Sequence, residues 1–313
     1  MDRSVDAKAG RECSSYTKLP ETVHGRVRDF PEWLRKPWPM RYDTRTKDIL
    51  ARLKLNTVCQ AAECPNLGEC WNRGAATFMI LGEKCTRACN FCAVTTGRGE
   101  SLEALADEPQ RVAEATKQLA LRHVVVTSVA RDDLPDEGAE HFARVIRALR
   151  AACGPQLVIE VLVPDFHARE ECLATVLDAR PDVFNHNTET IERLHTPVRP
   201  QGSYRRSLEV LRKVKQLQLD ATTKSGLMVG LGETVDEVKA TVRDLRTVGC
   251  EILTVGQYLR PSAAHLPVAE YVHPDMFKEY ERYALALGFK AAACGPFVRS
   301  SYQAEHVLAN AQA

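Results

Sequence analysis

Two groups of three cysteines are the residues of this sequence best suited to chemistry. The first triplet is Cys59, Cys64 and Cys70, spaced CxxxxCxxxxxC. The second triplet is Cys85, Cys89 and Cys92, spaced CxxxCxxC. Three thiolates on one short loop can hold three corners of a cuboidal iron–sulfur cluster, which leaves the fourth iron open to a small-molecule ligand. The second triplet is therefore predicted to be a reaction site, and the first triplet needs a separate explanation.

The composition excludes several classes of protein. The chain has 313 residues and a formal net charge of +1, which predicts neither a nucleic acid nor a strongly acidic partner. The first residues are polar and lack the apolar core of a secretory signal, and no run approaches the roughly 20 apolar residues of a membrane span. Eleven cysteines without such a signal favour metal ligation in a reducing compartment over disulfides. We expect a cytoplasmic protein without a membrane partner, and a monomer because no heptad pattern or obvious apolar patch is present.

From residue 76 onward, short apolar runs alternate with longer stretches of helical periodicity. The predicted strands are Ala76–Leu81, His123–Val129, Leu157–Val163, Val183–Asn187, Thr222–Val229 and Ile252–Tyr258. The predicted helices lie near 108–121, 138–151, 167–179, 203–218, 233–248 and 274–287. Six βα units in succession predict a parallel sheet with right-handed crossovers, either an open partial barrel or a doubly wound sheet. Both architectures bind their ligands at the carboxyl ends of the strands.

Polar residues do follow the predicted strands, and the second triplet comes directly after the first strand. The candidates for cofactor or rim contacts at these strand ends are Thr127, Ser128, Asn185, Asn187 and Lys224. Ordinary loop polarity explains any one of them, but several strand ends in register with a cysteine loop favour an active-site rim. His186, which lies beside one strand end, is interpreted as a structural histidine.

A zinc site is the simplest alternative for the second triplet. Three cysteines need a fourth Cys or His ligand to complete a tetrahedral zinc site. No Cys or His occurs in the twenty residues after Cys92, so a zinc knuckle is disfavoured.

A CxxxCxxC loop after the first strand of a βα repeat resembles the radical S-adenosylmethionine superfamily. The resemblance implies a [4Fe-4S] cluster on Cys85, Cys89 and Cys92, whose open iron chelates S-adenosylmethionine. Reduction of that complex yields a 5′-deoxyadenosyl radical, which can take hydrogen from an unactivated C–H bond. Phe91 matches the aromatic residue that the superfamily places near the adenine, although a core position would explain it equally well.

Motifs spread over residues 59 to 302 narrow the resemblance to the lipoyl synthase family. They are the first triplet, CTRACNFC (85–92), VTSVARDDL (126–134), FNHN (184–187), TKSGLMVGLGE (223–233) and RSSY (299–302). The family implies a second [4Fe-4S] cluster, the auxiliary cluster, on Cys59, Cys64 and Cys70. Its fourth ligand is a serine of the RSSY motif, assigned to Ser301 with Ser300 as the fallback.

The resemblance further implies the reaction and its participants. The auxiliary cluster supplies two sulfur atoms to C6 and C8 of an octanoyl chain, which is amide-linked to a lysine of a lipoyl-carrier domain. The implied carriers are the E2 subunits of 2-oxoacid dehydrogenases and the H protein of glycine cleavage. Reduced flavodoxin or ferredoxin is the implied electron donor, and an iron–sulfur carrier is the implied source of new clusters.

The implied fold is a partial (βα)6 TIM-type barrel whose N-terminal and C-terminal extensions cover the barrel mouth. The predicted divisions are an irregular arm at 1–50, an auxiliary-cluster segment at 51–75, the barrel at 76–298 and a serine-bearing segment at 299–313. Two alternatives stay open: another radical enzyme whose second cluster binds substrate or relays electrons, and a non-enzymatic iron–sulfur carrier or zinc module. An all-cysteine or open second cluster would favour the former.

Overall fold

One sheet organises the part of the chain that this computed structural model describes, residues 30–35 and 44–312. Eight strands lie side by side in chain order within these residues. They are β1 Asn56–Thr57, β2 Thr77–Ile80, β3 His123–Ser128, β4 Val158–Leu162, β5 Val183–Asn185, β6 Thr222–Val229, β7 Ile252–Gln257 and β8 Ala291–Gly295. Strand β1 pairs antiparallel with β2, and every later neighbouring pair is parallel. The sheet does not close, since β8 makes no ladder with β1 or β2.

Helices connect consecutive parallel strands. The helices are α1 Thr44–Arg52, α2 Val58–Ala61, α3 Leu67–Asn72, α4 Glu108–Gln118, α5 Ala139–Cys153, α6 Glu170–Asp178, α7 His195–Val198, α8 Tyr204–Leu217, α9 Val235–Thr247, α10 Pro274–Ala286 and α11 Ala304–Gln312. All six predicted strands and all six predicted helices are present, with ends shifted by a few residues. The prediction of a partial α/β barrel is confirmed, whereas β1 and β8 were not predicted.

The outer helices bury one apolar face against the sheet. In α5, Phe142, Ile146 and Leu149 recur at helical spacing, and all three are fully buried. Helix α9 begins with a capping box, in which Thr234 and Glu237 each bond the other's backbone N–H and so satisfy groups that the helix leaves free. These contacts hold the outer helices against the sheet, and the strand ends therefore keep fixed positions relative to one another.

Helix α11 closes the end of the barrel at which the strands begin. Its Val307 and Leu308 pack with Val183, Ile252 and Ala291, which stand at the starts of β5, β7 and β8. The segment between β8 and α11 therefore has to run along the open side of the barrel, and it carries the RSSY motif.

Most of the predicted irregular arm at 1–50 lies outside the described residues. Its described part departs from the prediction at residues 44–50, which belong to α1 because Ile49 and Leu50 are buried in the main core. Farther upstream, the Phe30 ring packs edge-on against Tyr271 at 5.5 Å. Within the described ranges, no helix is both long and apolar enough to cross a membrane.

Candidate active site

The second triplet sits on a loop that begins directly after β2, as predicted. Cys85 anchors this loop, because its N–H donates to the Thr95 carbonyl at 2.9 Å and its own carbonyl accepts from Gly97 at 2.9 Å. The Cys85 Sγ also accepts N–H groups from Arg87 and Ala130 at 3.4 and 3.3 Å. Backbone donors of this kind fix the position of the sulfur atom.

Arg87, which lies between Cys85 and Cys89, ties this loop to the next two strands. Its guanidinium donates to Asp132 after β3, at 2.6 to 3.1 Å, and to Asp165 after β4, at 2.8 Å. Burial would raise the pKa of Asp165, but the hydrogen bond and charge of Arg87 hold that pKa well below its ordinary value. The loop is therefore positioned by an ionised network in which Arg87 and Asp165 are buried and Asp132 is exposed.

The spacing of the thiols tests which metal centre fits. Two thiolates on one tetrahedral zinc ion stand about 3.8 Å apart, given a Zn–S distance of about 2.3 Å. Within the described residues, only Asp132, Glu137 and His167 bring three potential ligand atoms within 4.8 Å of one another, so neither cysteine triplet is drawn that close. Wider spacing suits a cuboidal cluster, in which each thiolate binds a different iron atom.

Burial disfavours the thiolate form at three cysteines of the two triplets. It raises the pKa of Cys92 to about 12 and that of Cys59, in the first triplet, to about 11. It also raises the pKa of Cys89. Because the metal needs the thiolate, binding of iron releases protons and offsets this cost.

A carboxylate beside the second triplet was missed by the sequence reasoning. Glu189 lies just past β5, and its charge acts on Cys89 and Cys92. Burial raises its pKa, partly offset by Arg199 and by a hydrogen bond from Asn187 Nδ2 at 3.1 Å. Its backbone φ of 71° is left-handed, a strained conformation that is often found at functional sites. The signal available in the sequence was an acidic residue just after the predicted strand 183–187.

Other predicted contact residues lie at several depths of the barrel. Thr127 is buried and donates its hydroxyl to the Leu162 carbonyl at 2.9 Å, while the Ser128 hydroxyl, one residue on, is buried without a hydrogen-bond partner.

Phe91 and His186 have surroundings that suit structural roles. Phe91 packs against an apolar cluster formed mainly by residues of β6, β7, α9 and α10. His186 bonds through both ring nitrogens, to the Val163 carbonyl and the Ser207 hydroxyl, which suits the structural role interpreted for it.

Lys224 and Asn185 belong to a buried polar layer inside the barrel. The Lys224 ammonium pairs with the Glu160 carboxylate at 2.8 and 3.1 Å, and both side chains are 1% exposed. Asn185 donates to the same carboxylate at 3.1 Å, and His123 lies 3.4 Å from it. The polar groups of this layer are thus largely committed to one another rather than to the rim.

The first triplet lines a second site at the open side of the barrel. Cys59 lies in α2, Cys70 in α3, and Cys64 in the turn between them. All three border one cavity of about 310 Å³, which Arg299 and Ser301 of the C-terminal segment also line. Residues far apart in sequence therefore meet in one chamber, and its donor set of three sulfurs and one hydroxyl suits a four-iron cluster.

Direct hydrogen bonds hold the C-terminal segment against the first triplet. Asn66, between Cys64 and Cys70, donates its amide to the Phe297 carbonyl at 2.7 Å. The Tyr302 hydroxyl donates to Glu69 at 2.8 Å. Ser300 instead faces the barrel interior, where its hydroxyl donates to Asn187 Oδ1 at 2.8 Å. The two adjacent serines thus face different sites.

Two strand glycines make room for this segment. A Cβ at Gly256 of β7 would overlap the carbonyl oxygen of Val298, and a Cβ at Gly226 of β6 would stand 2.7 Å from the Ser300 hydroxyl. The backbone of the C-terminal segment can therefore approach β6 and β7 closely only because both positions lack a side chain.

Several known proteins are similar to this chain in sequence. Residues 79–245 match the model of the radical SAM superfamily. A lipoyl synthase of Caldanaerobacter subterraneus subsp. tengcongensis is 54% identical over 275 residues, covering 88% of this chain and 95% of the relative. Those of Rubrobacter xylanophilus and Thermus thermophilus are 52% and 50% identical, covering 92% and 93% of this chain and 88% and 90% of the relatives.

Solved structures agree on the fold. A methylornithine synthase shares the architecture with a TM-score of 0.51 at 14% identity, over 79% of this chain and 74% of its own. A maturase of the [FeFe]-hydrogenase gives a TM-score of 0.54 at 14% identity, over 81% and 63% of the two chains. At such low identity, the similarity supports the barrel fold and gives no information about function.

Proposed function

This chain belongs to the lipoyl synthase family of the radical SAM superfamily, and we propose that its two cysteine triplets hold two clusters with different tasks. The protein is a lipoyl synthase, a sulfur-inserting enzyme that uses S-adenosylmethionine and [4Fe-4S] clusters. Sulfur enters at C6 and C8 of an octanoyl chain borne by a lipoyl-carrier protein. The observation that carries the division of tasks is the cavity shared by the first triplet and Ser301, apart from the loop of the second triplet.

The second triplet holds the cluster that binds S-adenosylmethionine in this proposal. Cys85, Cys89 and Cys92 are its ligands, and the bound pair supplies a 5′-deoxyadenosyl radical for hydrogen abstraction. Arg87 fixes the loop. The charge of Glu189 acts on Cys89 and Cys92, so its carboxylate and the Asn187 amide bonded to it are candidate contacts for the polar groups of the cofactor. Further candidate contacts are Phe91, Thr127, Ser128, Asn185 and Lys224.

The first triplet holds the auxiliary cluster, which is a substrate because its sulfur ends in the product. Cys59, Cys64 and Cys70 are three ligands, and Ser301 is the fourth. Ser301 is favoured over Ser300 because it lines the cavity, whereas the Ser300 hydroxyl is bonded to Asn187. Oxygen is a harder ligand than thiolate and suits a soft iron–sulfur core less well. The serine corner is therefore the one that opens when sulfur is withdrawn.

The specific carrier proteins and the electron donor are inferred from the same family membership. We propose the E2 subunits of 2-oxoacid dehydrogenases and the glycine-cleavage H protein as carriers, reduced flavodoxin or ferredoxin as electron donor, and an iron–sulfur carrier for resupply. A cytoplasmic location fits such partners. The proposed organisation is an arm at 1–50, an auxiliary-cluster segment at 51–75, the barrel at 76–298 and a serine-bearing segment at 299–313.

The direct test is mass spectrometry of an octanoyl-lysine peptide after anaerobic incubation with the reconstituted protein. S-adenosylmethionine and a strong reductant complete the mixture. The expected product carries C–S bonds at C6 and C8 in place of two C–H bonds, so the peptide gains two sulfur atoms as the dithiol and loses two hydrogen atoms only after later oxidation to the disulfide. Release of 5′-deoxyadenosine without sulfur in the peptide would keep the radical site and refute the assigned sulfur insertion.

The two adjacent serines provide a matched pair of variants. Ser301→Ala removes the proposed ligand, so the auxiliary cluster should lose iron to a chelator about 10- to 100-fold faster. Ser300→Ala removes one hydrogen bond to Asn187, worth about 0.5–1.5 kcal/mol, and should leave that rate nearly unchanged. Iron release followed by absorbance measures both. Faster iron release from Ser300→Ala than from Ser301→Ala would show that Ser300 is the ligand.

A further inference from the structure

We propose that Arg299 is the charge-compensating residue of the auxiliary-cluster site, where its guanidinium balances the anionic ligands and so holds the cluster and the C-terminal segment together. This inference rests on the proposed function, since it assumes that the first triplet and Ser301 bind a cluster. It adds a positioning residue that is not itself a ligand.

The first support is location. Arg299 lines the same cavity as Cys59, Cys64, Cys70 and Ser301. The charge of its guanidinium is influenced by Cys64, which lines the same cavity. The side chain is only partly exposed. Partial burial distinguishes it from the exposed arginines that line the same cavity, such as Arg73.

The second support is that Arg299 lacks an acidic partner. Two buried arginines elsewhere in the described residues have carboxylate partners: Arg87 pairs with Asp132 and Asp165, and Arg131 pairs with Asp133. Arg299 donates to the Val298 carbonyl at 2.7 Å and has no carboxylate within 4.0 Å in the described ranges. A cation kept in such a place without an anion points to an anionic ligand in the cavity.

The third support is the backbone that places the guanidinium there. A Cβ at Gly256 would stand 3.2 Å from Arg299 Nη1 as well as overlapping the Val298 carbonyl oxygen. Because Gly256 has no side chain, the Val298 carbonyl and the Arg299 guanidinium can both lie close to β7. Asn66 and Glu69 bond Phe297 and Tyr302 on either side of it, so the side chain has little freedom to leave the cavity.

The chemistry of the ligand set supplies the missing anion. Three thiolates and one serine alkoxide outweigh the positive charge of a cuboidal iron–sulfur core, so the assembled site is anionic. Where protein replaces part of the surrounding water, a nearby guanidinium stabilises that charge more than it would in bulk solvent. It stabilises the reduced form most, because that form carries one more negative charge.

The test compares Arg299→Met and Arg299→Lys in the full-length chain with Cys85, Cys89 and Cys92 replaced by Ala, so that only the auxiliary cluster is seen. Arg73→Met is the matched control, because Arg73 lines the same cavity but is exposed and paired with Glu69. Arg299→Met should release iron to a chelator about 10- to 100-fold faster and should lower the reduction potential of the cluster. Arg299→Lys should recover most of both properties, and Arg73→Met should change neither.

A stability measurement separates charge compensation from a purely structural role. Without a cluster, Arg299→Met should melt no lower than the parent, because the charge that it removes has no partner there. Equal losses of melting temperature with and without the cluster, or an unchanged potential, would overturn the proposal. If the parent protein with an intact first triplet assembles no cluster at all, the proposed function fails instead.

Discussion

Replacement of Cys59, Cys64 and Cys70 by Ala is expected to abolish sulfur insertion, while cleavage of S-adenosylmethionine to 5′-deoxyadenosine should remain measurable. This split is expected because the two triplets lie on separate elements. The first is on α2, α3 and their connecting turn, and the second is on the loop after β2. Loss of one cluster from two should also lower the iron content by about half. Liquid chromatography with mass spectrometry of both products, together with iron analysis, measures the outcome.

Two control variants sharpen this result. Replacement of Cys85, Cys89 and Cys92 by Ala should abolish both 5′-deoxyadenosine and sulfur insertion, since radical generation precedes sulfur transfer. Cys153→Ala, at the end of α5 and outside both sites, should retain both activities and the full iron content. If the first-triplet variant still inserted sulfur, the auxiliary cluster would not be the donor.

The repeating architecture could be predicted from the sequence because its signals are local. Apolar runs and helical periodicity mark each βα unit within a few residues. Strand β8 escaped prediction because its residues, AAACG at 291–295, are small and have weak strand propensity; pairing with β7 determines its conformation. Strand β1 has two residues, too few for any periodic pattern.

The candidate sites could be predicted only in part, for a related reason. The cysteine spacings are local, so the triplets were apparent at once, and the resemblance suggested a partnership between the first triplet and a distant serine. Asn66 and Phe297 are 231 residues apart, and no local pattern predicts such a contact. The anchoring of Arg87 by Asp132 and Asp165 likewise depends on the alignment of the carboxyl ends of three strands. That Arg299 has no carboxylate partner within the described residues likewise depends on distant segments, and no local pattern predicts it.

Lys224→Met should lower the free energy of unfolding by about 3–5 kcal/mol at neutral pH, because it leaves the buried Glu160 carboxylate without its ammonium partner. Glu160→Gln combined with Lys224→Met removes both charges and should recover most of this loss. Urea unfolding of the cluster-free proteins measures the three free energies. A single variant no less stable than the double variant would show that the pair contributes nothing.

The contribution of Glu160 to the pH dependence of stability should have opposite signs in the native protein and in Lys224→Met. Burial alone would raise the pKa of Glu160, but Lys224 and His123 lower it in the native protein. The stabilisation from this group is therefore present above the ordinary carboxyl pKa and is lost as the pH falls through the lowered value. Without Lys224, burial dominates and the pKa should rise, so acidification then protonates the carboxyl group and stabilises the fold. The gap between Lys224→Met and the native protein should narrow from pH 7 to about pH 5. A constant gap would contradict the assignment of the effect to the Glu160 charge.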